Sequence, residues 1–163
     1  TVSVLYWRLS GMATYFAIVG RNDELVFEFS NFGGGDTDRI AQLQGITHGA
    51  LDLVDAALWT TPSAFLGNAA KPLDVNTVSG DTRPLSTVAY APLGELRYVV
   101  TYTRPTAAHE HVCRAAHAML RRHAANPFAD LSRPLWDRRG GGEEPRVHKD
   151  LWDMCVHEFG AAN

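Results

Sequence analysis

The stretch that decides the fold is TYFAIVGRNDELVFEF, residues 14–29 of the 163-residue chain. Residues 14–19 form a short run of aromatic, apolar and β-branched side chains, which is typical of a buried strand. The turn sequence GRND follows at residues 20–23, where Asn and Asp tolerate left-handed backbone angles. Residues 25–29 alternate in character and indicate a second strand. Together these segments predict a β-hairpin.

A long amphipathic helix is predicted next, over residues 36–59. Asp36 or Thr37 can cap its N-terminus, and Thr61-Pro62 ends it. Residues that suit a core recur at spacings of three and four, which predicts one side that packs on a sheet. These residues are Ile40, Leu43, Thr47, Ala50, Leu51, Val54 and Leu58.

The rest of the chain continues the mixture of strands and helices. Pro105 suits the first turn of a helix, where its missing N–H costs nothing, and the residues at 130–146 indicate a polar loop. The predicted order is ββαβββαα, an α+β domain whose antiparallel sheet carries helices on both faces. One further strand is expected from the weak strand signals at 64–66 and 73–78, and two more are expected over 85–91 and 96–102, with a tight turn at 92–95. The further helices are expected over 105–125 and 147–159.

Composition and charge exclude several classes of protein. Hydrophobic residues make up 45% of the chain and charged residues 20%, so a wholly disordered chain is excluded. The net charge of −3 gives no footprint for nucleic acid, and no run approaches the roughly 20 apolar residues of a membrane span. Cys113 and Cys155 are expected to be buried free thiols. We therefore expect a cytoplasmic protein with a single domain over 14–163, preceded by an N-terminal extension or leader at 1–13.

Seven histidines suggest a metal site, but their spacing does not support one. In the triplet 109–111, His-Glu-His, neighbouring side chains on a helix point about 100° apart. His117 is expected to be solvated, and His109 to lie at the boundary of an apolar stripe. No His-Glu-x-x-His helix and no Gly-x-Ser-x-Gly turn is present. We expect no metal, no cofactor and no catalytic residue.

The polar cluster that converges best lies on the first predicted helix. His48, Asp52 and Asp55 are spaced at i, i+4 and i+7, and Trp59 follows one turn later. The cluster can be a solvated helix face with a local His–Asp pair, a catalytic group, or a surface that binds a partner. Acidic side chains beside an aromatic suit recognition by Arg or Lys. We therefore predict that Asp52, His48, Asp55 and Trp59 form a partner-binding site.

Several short segments of the chain occur in the same order in one known family. They are Tyr15–Asp23 with Val26-Phe27-Glu28, His48–Asp55 followed by Trp59, Gly94 before Leu96-Arg97-Tyr98, Asn126-Pro127-Phe128, and Trp152-Asp153. In this order they resemble the sedlin family, from about residue 14 to residue 156. Residues 1–11 have no counterpart there, and residues 79–85 and 136–146 look longer than is usual in the family.

The resemblance implies a fold and a role. Sedlin-like proteins have the longin-like (SNARE-like) fold, a five-stranded antiparallel sheet with one helix on one face and two on the other. They are non-enzymatic adaptor subunits of the TRAPP vesicle-tethering complex. That complex acts in endoplasmic reticulum to Golgi transport with a Rab-family GTPase. The resemblance thus implies other TRAPP subunits as partners, an indirect link to the GTPase, and a peripheral location at endoplasmic reticulum and Golgi membranes.

Two alternatives stay open at this point: a sedlin-like paralogous TRAPP subunit, and a longin-fold trafficking regulator outside TRAPP. The resemblance also suggests that Asp52, which matches an aspartate of the sedlin helix, contacts a partner.

Overall fold

A computed structural model describes residues 13–32, 37–67, 73, 85–92, 96–136 and 142–160. Its elements follow the order ββαβββαα that the sequence predicts. The strands are β1 (Thr14–Val19), β2 (Leu25–Ser30), β3 (Phe65–Leu66), β4 (Ser86–Tyr90) and β5 (Arg97–Tyr102), and the helices are α1 (Thr37–Leu58), α2 (Ala108–Ala124) and α3 (Arg146–Phe159).

The five strands form one antiparallel sheet in the order β2-β1-β5-β4-β3. The hairpin of β1 and β2 is confirmed, and Asp23 adopts a left-handed backbone angle (φ 60°) in its turn. Strand β1 also pairs with β5, which places Phe16 opposite Val100. Strand β1 is therefore an inner strand, although it comes first among the described elements.

Each face of the sheet carries its own hydrophobic cluster. Phe16 and Ile18 of β1 pack with α2 and α3, whereas Tyr15, Ala17 and Val19 pack on the other side with α1. Because side chains alternate between the faces of a strand, a strand covered on both sides must be apolar throughout. The structure thus has one helix on one face and two on the other, and the longin-like α+β fold is confirmed.

The two ends of α1 differ from the prediction. Ile40 is 38% exposed and Leu58 is 43% exposed, so the expectation that both pack on the sheet was wrong. Ile46, which the predicted set omitted, is buried. The buried positions of α1 run only from Leu43 to Val54, because that central part is the part that covers the sheet.

Helix α2 begins three residues later than predicted, at Ala108. Pro105 therefore does not lie in its first turn. The Thr106 hydroxyl accepts a hydrogen bond from the backbone N–H of Ala108 at 3.2 Å. Such a local side-chain bond offers the backbone an alternative to continuing the helix, which explains the later start.

The segment after α2, which the sequence indicates to be a polar loop, also packs apolar side chains against the core. Leu131 and Leu135 pack against the cluster under α2 and α3. The backbone N–H of Leu135 also donates to the carbonyl oxygen of Val26 at 2.8 Å. Strand β2 lies at the edge of the sheet, so this bond covers part of an edge that would otherwise be open.

Some sequence predictions fall on residues that the structure does not describe. The expected strand residues 74–78, the loop at 79–84 and most of the turn at 92–95 lie outside the described ranges, as does Asp36. Leu73 itself forms an isolated bridge with Thr87 of β4. In the described part of the chain, no helix combines the length and the hydropathy that crossing a membrane would need.

Candidate functional site

The four predicted site residues all face solvent on the outer side of α1. His48, Asp52 and Asp55 are exposed, and Trp59, directly after the helix end, is 91% exposed. The neighbouring Leu51 is buried against the sheet. Spacings of four, three and four place residues on one side of a helix. The structure therefore brings the four positions to one surface.

Asp55 is engaged within the molecule. Its carboxylate lies 3.0 Å from the guanidinium of Arg97, and the same guanidinium lies 2.9 Å from the carboxylate of Asp23. The Arg97 side chain is only 17% exposed, whereas both carboxylates are about half exposed. One arginine thus joins α1, the start of β5 and the turn of the β1–β2 hairpin. The carboxylate of Asp55 is therefore paired with Arg97 within the molecule. Asp52 supplies the next carboxylate on this side of the helix.

Sequence reasoning missed Arg97. The residue lies 42 positions from Asp55 and 74 from Asp23. No local pattern links these positions, because they meet only when β5 is inserted beside β1. The available signal was a cation at the start of the strand predicted over 96–102, in a sheet expected to carry helices on both faces, which is an uncommon place for an unpaired charge.

Trp59 gives this surface an apolar end. After Leu58 the chain turns, with the backbone N–H groups of Thr60 and Thr61 both donating to the carbonyl oxygen of Ala57. The turn leaves the indole in solvent next to the partly exposed Leu58. A large aromatic side chain that the domain leaves unburied is typical of the anchor residues of protein interfaces.

The histidines on the other side of the sheet are more deeply placed than predicted. His109 is 4% exposed and stacks on Tyr102 with ring centroids 4.1 Å apart, so it is not a boundary residue. Burial lowers the pKa of His109 to about 4. His117 is partly buried and lies 3.1 Å from the hydroxyl of Tyr98, so it is not simply solvated. Burial, and then Arg121, lower the pKa of His117.

His148 is a further buried histidine, and Glu144 lies 2.6 Å from its Nδ1. These rings are spread along the core and do not converge. Among the described residues, no group of three or more His, Cys, Asp and Glu side chains could hold a metal ion.

The sheet, covered by one helix on one face and two on the other, defines a longin-like domain. A comparison with protein families leads to the particular family. The family model described as Sedlin matches residues 18–138, which is more than half of the chain. The chain therefore belongs to the sedlin family. This family consists of non-enzymatic trafficking adaptors, subunits of TRAPP.

Helix α3 lies beyond the matched range, yet it completes the same core. Leu151, Cys155 and Phe159 are buried in the cluster that α2 and the sheet share. The structural unit therefore extends past the end of the match.

Proposed function

We propose that this protein is a non-enzymatic adaptor subunit of the TRAPP vesicle-tethering complex, acting in endoplasmic reticulum to Golgi transport in a Rab-family GTPase pathway. It works at the cytoplasmic side of those membranes as a peripheral component, and residues 14–163 form its single domain. The observation that carries this proposal is the match to the sedlin family over residues 18–138. The longin-like fold, found from the sheet order and the helix placement, is consistent with it.

The outer side of α1 is the surface we propose for contact with another TRAPP subunit. Asp52 offers an exposed carboxylate, and a basic or hydrogen-bond-donating group of the partner would face it. His48 lies one turn before Asp52, and Trp59 supplies the apolar anchor at the far end. Asp55 lies between them and is held in place by Arg97. Asp55 thus orders the surface and Asp52 provides its charge.

Co-purification tests the function. The full chain, tagged and expressed with the other TRAPP subunits, is expected to form a stable complex whose composition native mass spectrometry reports. Recovery of the chain with non-TRAPP proteins alone would contradict the function and would support a longin-fold regulator outside TRAPP.

Single substitutions test the surface separately. Asp52→Ala should keep the stability of the domain within about 1 kcal/mol of the original, because exposed charges contribute little to folding. It should weaken binding by roughly 1–3 kcal/mol, because the donor opposite is left unpaired. Trp59→Ala should weaken binding at least as much. Asp153→Ala, an exposed carboxylate on α3, is the matched control and should bind normally. If complexes form and neither Asp52→Ala nor Trp59→Ala weakens them, the proposed binding surface is contradicted, whereas the proposed function still stands.

A further inference from the structure

The chain makes a tightly held turn where α2 ends. Ala125 closes the helix by donating its backbone N–H to the carbonyl oxygen of Arg121. The carbonyl oxygen of Asn126 then accepts the backbone N–H of Ala129 at 3.0 Å, which closes a β-turn. The side-chain oxygen of Asn126 accepts the backbone N–H of Phe128, also at 3.0 Å. Pro127 sits at the second position of the turn, where its fixed φ angle is favourable.

This turn projects an aromatic ring into solvent. Phe128 is 92% exposed, and Asn126 and Pro127 are exposed as well. The sheet phenylalanines Phe16 and Phe29 are, by contrast, almost completely buried. Phe128 is the most exposed phenylalanine among the described residues, and both hydrogen bonds of the turn use backbone or Asn126 atoms. The ring therefore adds nothing to the core, although the backbone that carries it is well ordered by its own bonds.

We propose that the Asn126–Phe128 turn is a docking motif for a partner domain whose apolar, acid-rimmed pocket accepts the Phe128 ring. This second contact goes beyond the adaptor role and does not depend on the surface of α1. A projecting aromatic in a pocket is the arrangement that concentrates binding energy in few residues. The two hydrogen bonds fix the turn before binding, so little conformational entropy remains to be lost on association.

The polar part of the motif defines the pocket further. Asn126 Oδ1 already accepts the N–H of Phe128. The side chain of Asn126 can therefore offer a partner the two N–H donors of its Nδ2. The pocket should therefore place carbonyl or carboxylate oxygens beside the site for the ring. Arg121 and Arg122 lie exposed in the last turn of α2, directly before the motif. An acidic rim on the partner would complement them.

The test uses the full chain and, as the probe, a purified EH domain, a helical module whose pocket takes Asn-Pro-Phe turns. Isothermal titration should show saturable one-to-one binding that weakens as salt is raised. Phe128→Ala should reduce the affinity at least tenfold, and Asn126→Ala at least fivefold. Trp59→Ala is the matched control, because its side chain is as exposed and as apolar, and it should bind the probe normally.

Two controls separate this proposal from its alternatives. Phe128→Ala should melt at the original temperature, because the ring touches no core residue that its loss could disturb. It should also assemble with the TRAPP subunits as the original chain does. Absence of saturable binding to the probe, or equal binding by Phe128→Ala, would overturn the proposal. Loss of TRAPP assembly in Phe128→Ala would do so too, since the ring would then belong to a subunit interface.

Discussion

His109 is the residue whose position the sequence predicts least well. Two polar residues, Glu110 and His111, follow it directly, and yet it is buried between Tyr102 and Phe159. Its Nε2 and the hydroxyl of Tyr102 are buried without a hydrogen-bond partner among the described residues. A buried polar atom without a partner costs free energy. The burial of His109 depends on β5 and α3, which reach this point from elsewhere in the chain. The spacing of residues within α2 therefore does not predict it.

The stability of the domain should depend on pH through His109. Burial lowers its folded pKa to about 4, whereas an unfolded histidine titrates near 6.5. Between these values the unfolded chain binds the proton and the folded protein does not, so the free energy of unfolding should fall as the pH drops from 6.5 to 4. The expected slope is about 1 kcal/mol per pH unit. Above about pH 7.5 both states are neutral and His109 adds no pH dependence.

Urea unfolding at several pH values between 4.5 and 8 measures this dependence. His109→Phe should remove most of the slope and should be as stable as the original at pH 7.5, because the unpartnered Nε2 is gone. His111→Gln, an exposed neighbour, should leave the slope unchanged. A His109→Phe protein with the full original slope would show that other groups cause it.

At the scale of elements, α1 was predicted well in its centre and poorly at its ends. The spacing of Leu43, Leu51 and Val54 identified the buried side, because the period of a helix makes that side visible in the sequence. The same spacing also included Ile40 and Leu58, which are exposed. Periodicity gives the direction of a side chain but not how far the sheet extends beneath the helix. The side of α1 proposed to bind a partner was predicted as the complement of the buried side, whereas the ion pair between Asp55 and Arg97 needed the tertiary structure.

Two adjacent residues of α1 test its two sides. Leu51→Asp places a charge without a partner in the cluster between α1 and the sheet, and it should cost several kcal/mol or unfold the domain. Asp52→Ala, one position later, should change the free energy of unfolding by less than about 1 kcal/mol. Thermal melting of the two proteins side by side measures the difference. A Leu51→Asp protein that melts at the same temperature as the original would mean that the buried side of α1 is wrongly assigned.

At the scale of the whole molecule, the hairpin and the class of fold followed from the sequence, but the order of the strands did not. The continuous apolar run at 14–19 indicates a strand covered on both faces, as β1 is. Nothing in that run indicates that β1 pairs with β5, roughly 80 residues later, so that β5 and not β3 lies beside the hairpin. The sequence did not predict that order, which comes from the structure. Pairing between distant strands is decided by the packing of both faces together.

The cluster under α2 and α3 should open only when the whole domain unfolds. Cys113 on α2 and Cys155 on α3 are both free, fully buried and members of that cluster. Burial raises the pKa of both thiols, so the reactive thiolate is scarce as well as inaccessible. The two helices pack on each other and on one sheet, so neither has a core of its own. We therefore expect both cysteines to become reactive in one cooperative event.

Labelling with a thiol reagent under native conditions measures this event. The variants Cys113→Ala and Cys155→Ala each leave one thiol, and the free energy of opening for each should equal that variant's own free energy of global unfolding in urea. Low urea concentrations should accelerate both labelling reactions with the same slope, because the same surface is exposed. Ala56→Cys, at an exposed position of α1, should react at once and calibrates the reagent. If Cys155 instead reacts much faster than Cys113 and with little dependence on urea, α3 detaches by itself. The domain would then be a sheet with α1 and α2 to which α3, the helix beyond the sedlin match, is added as a separately opening unit.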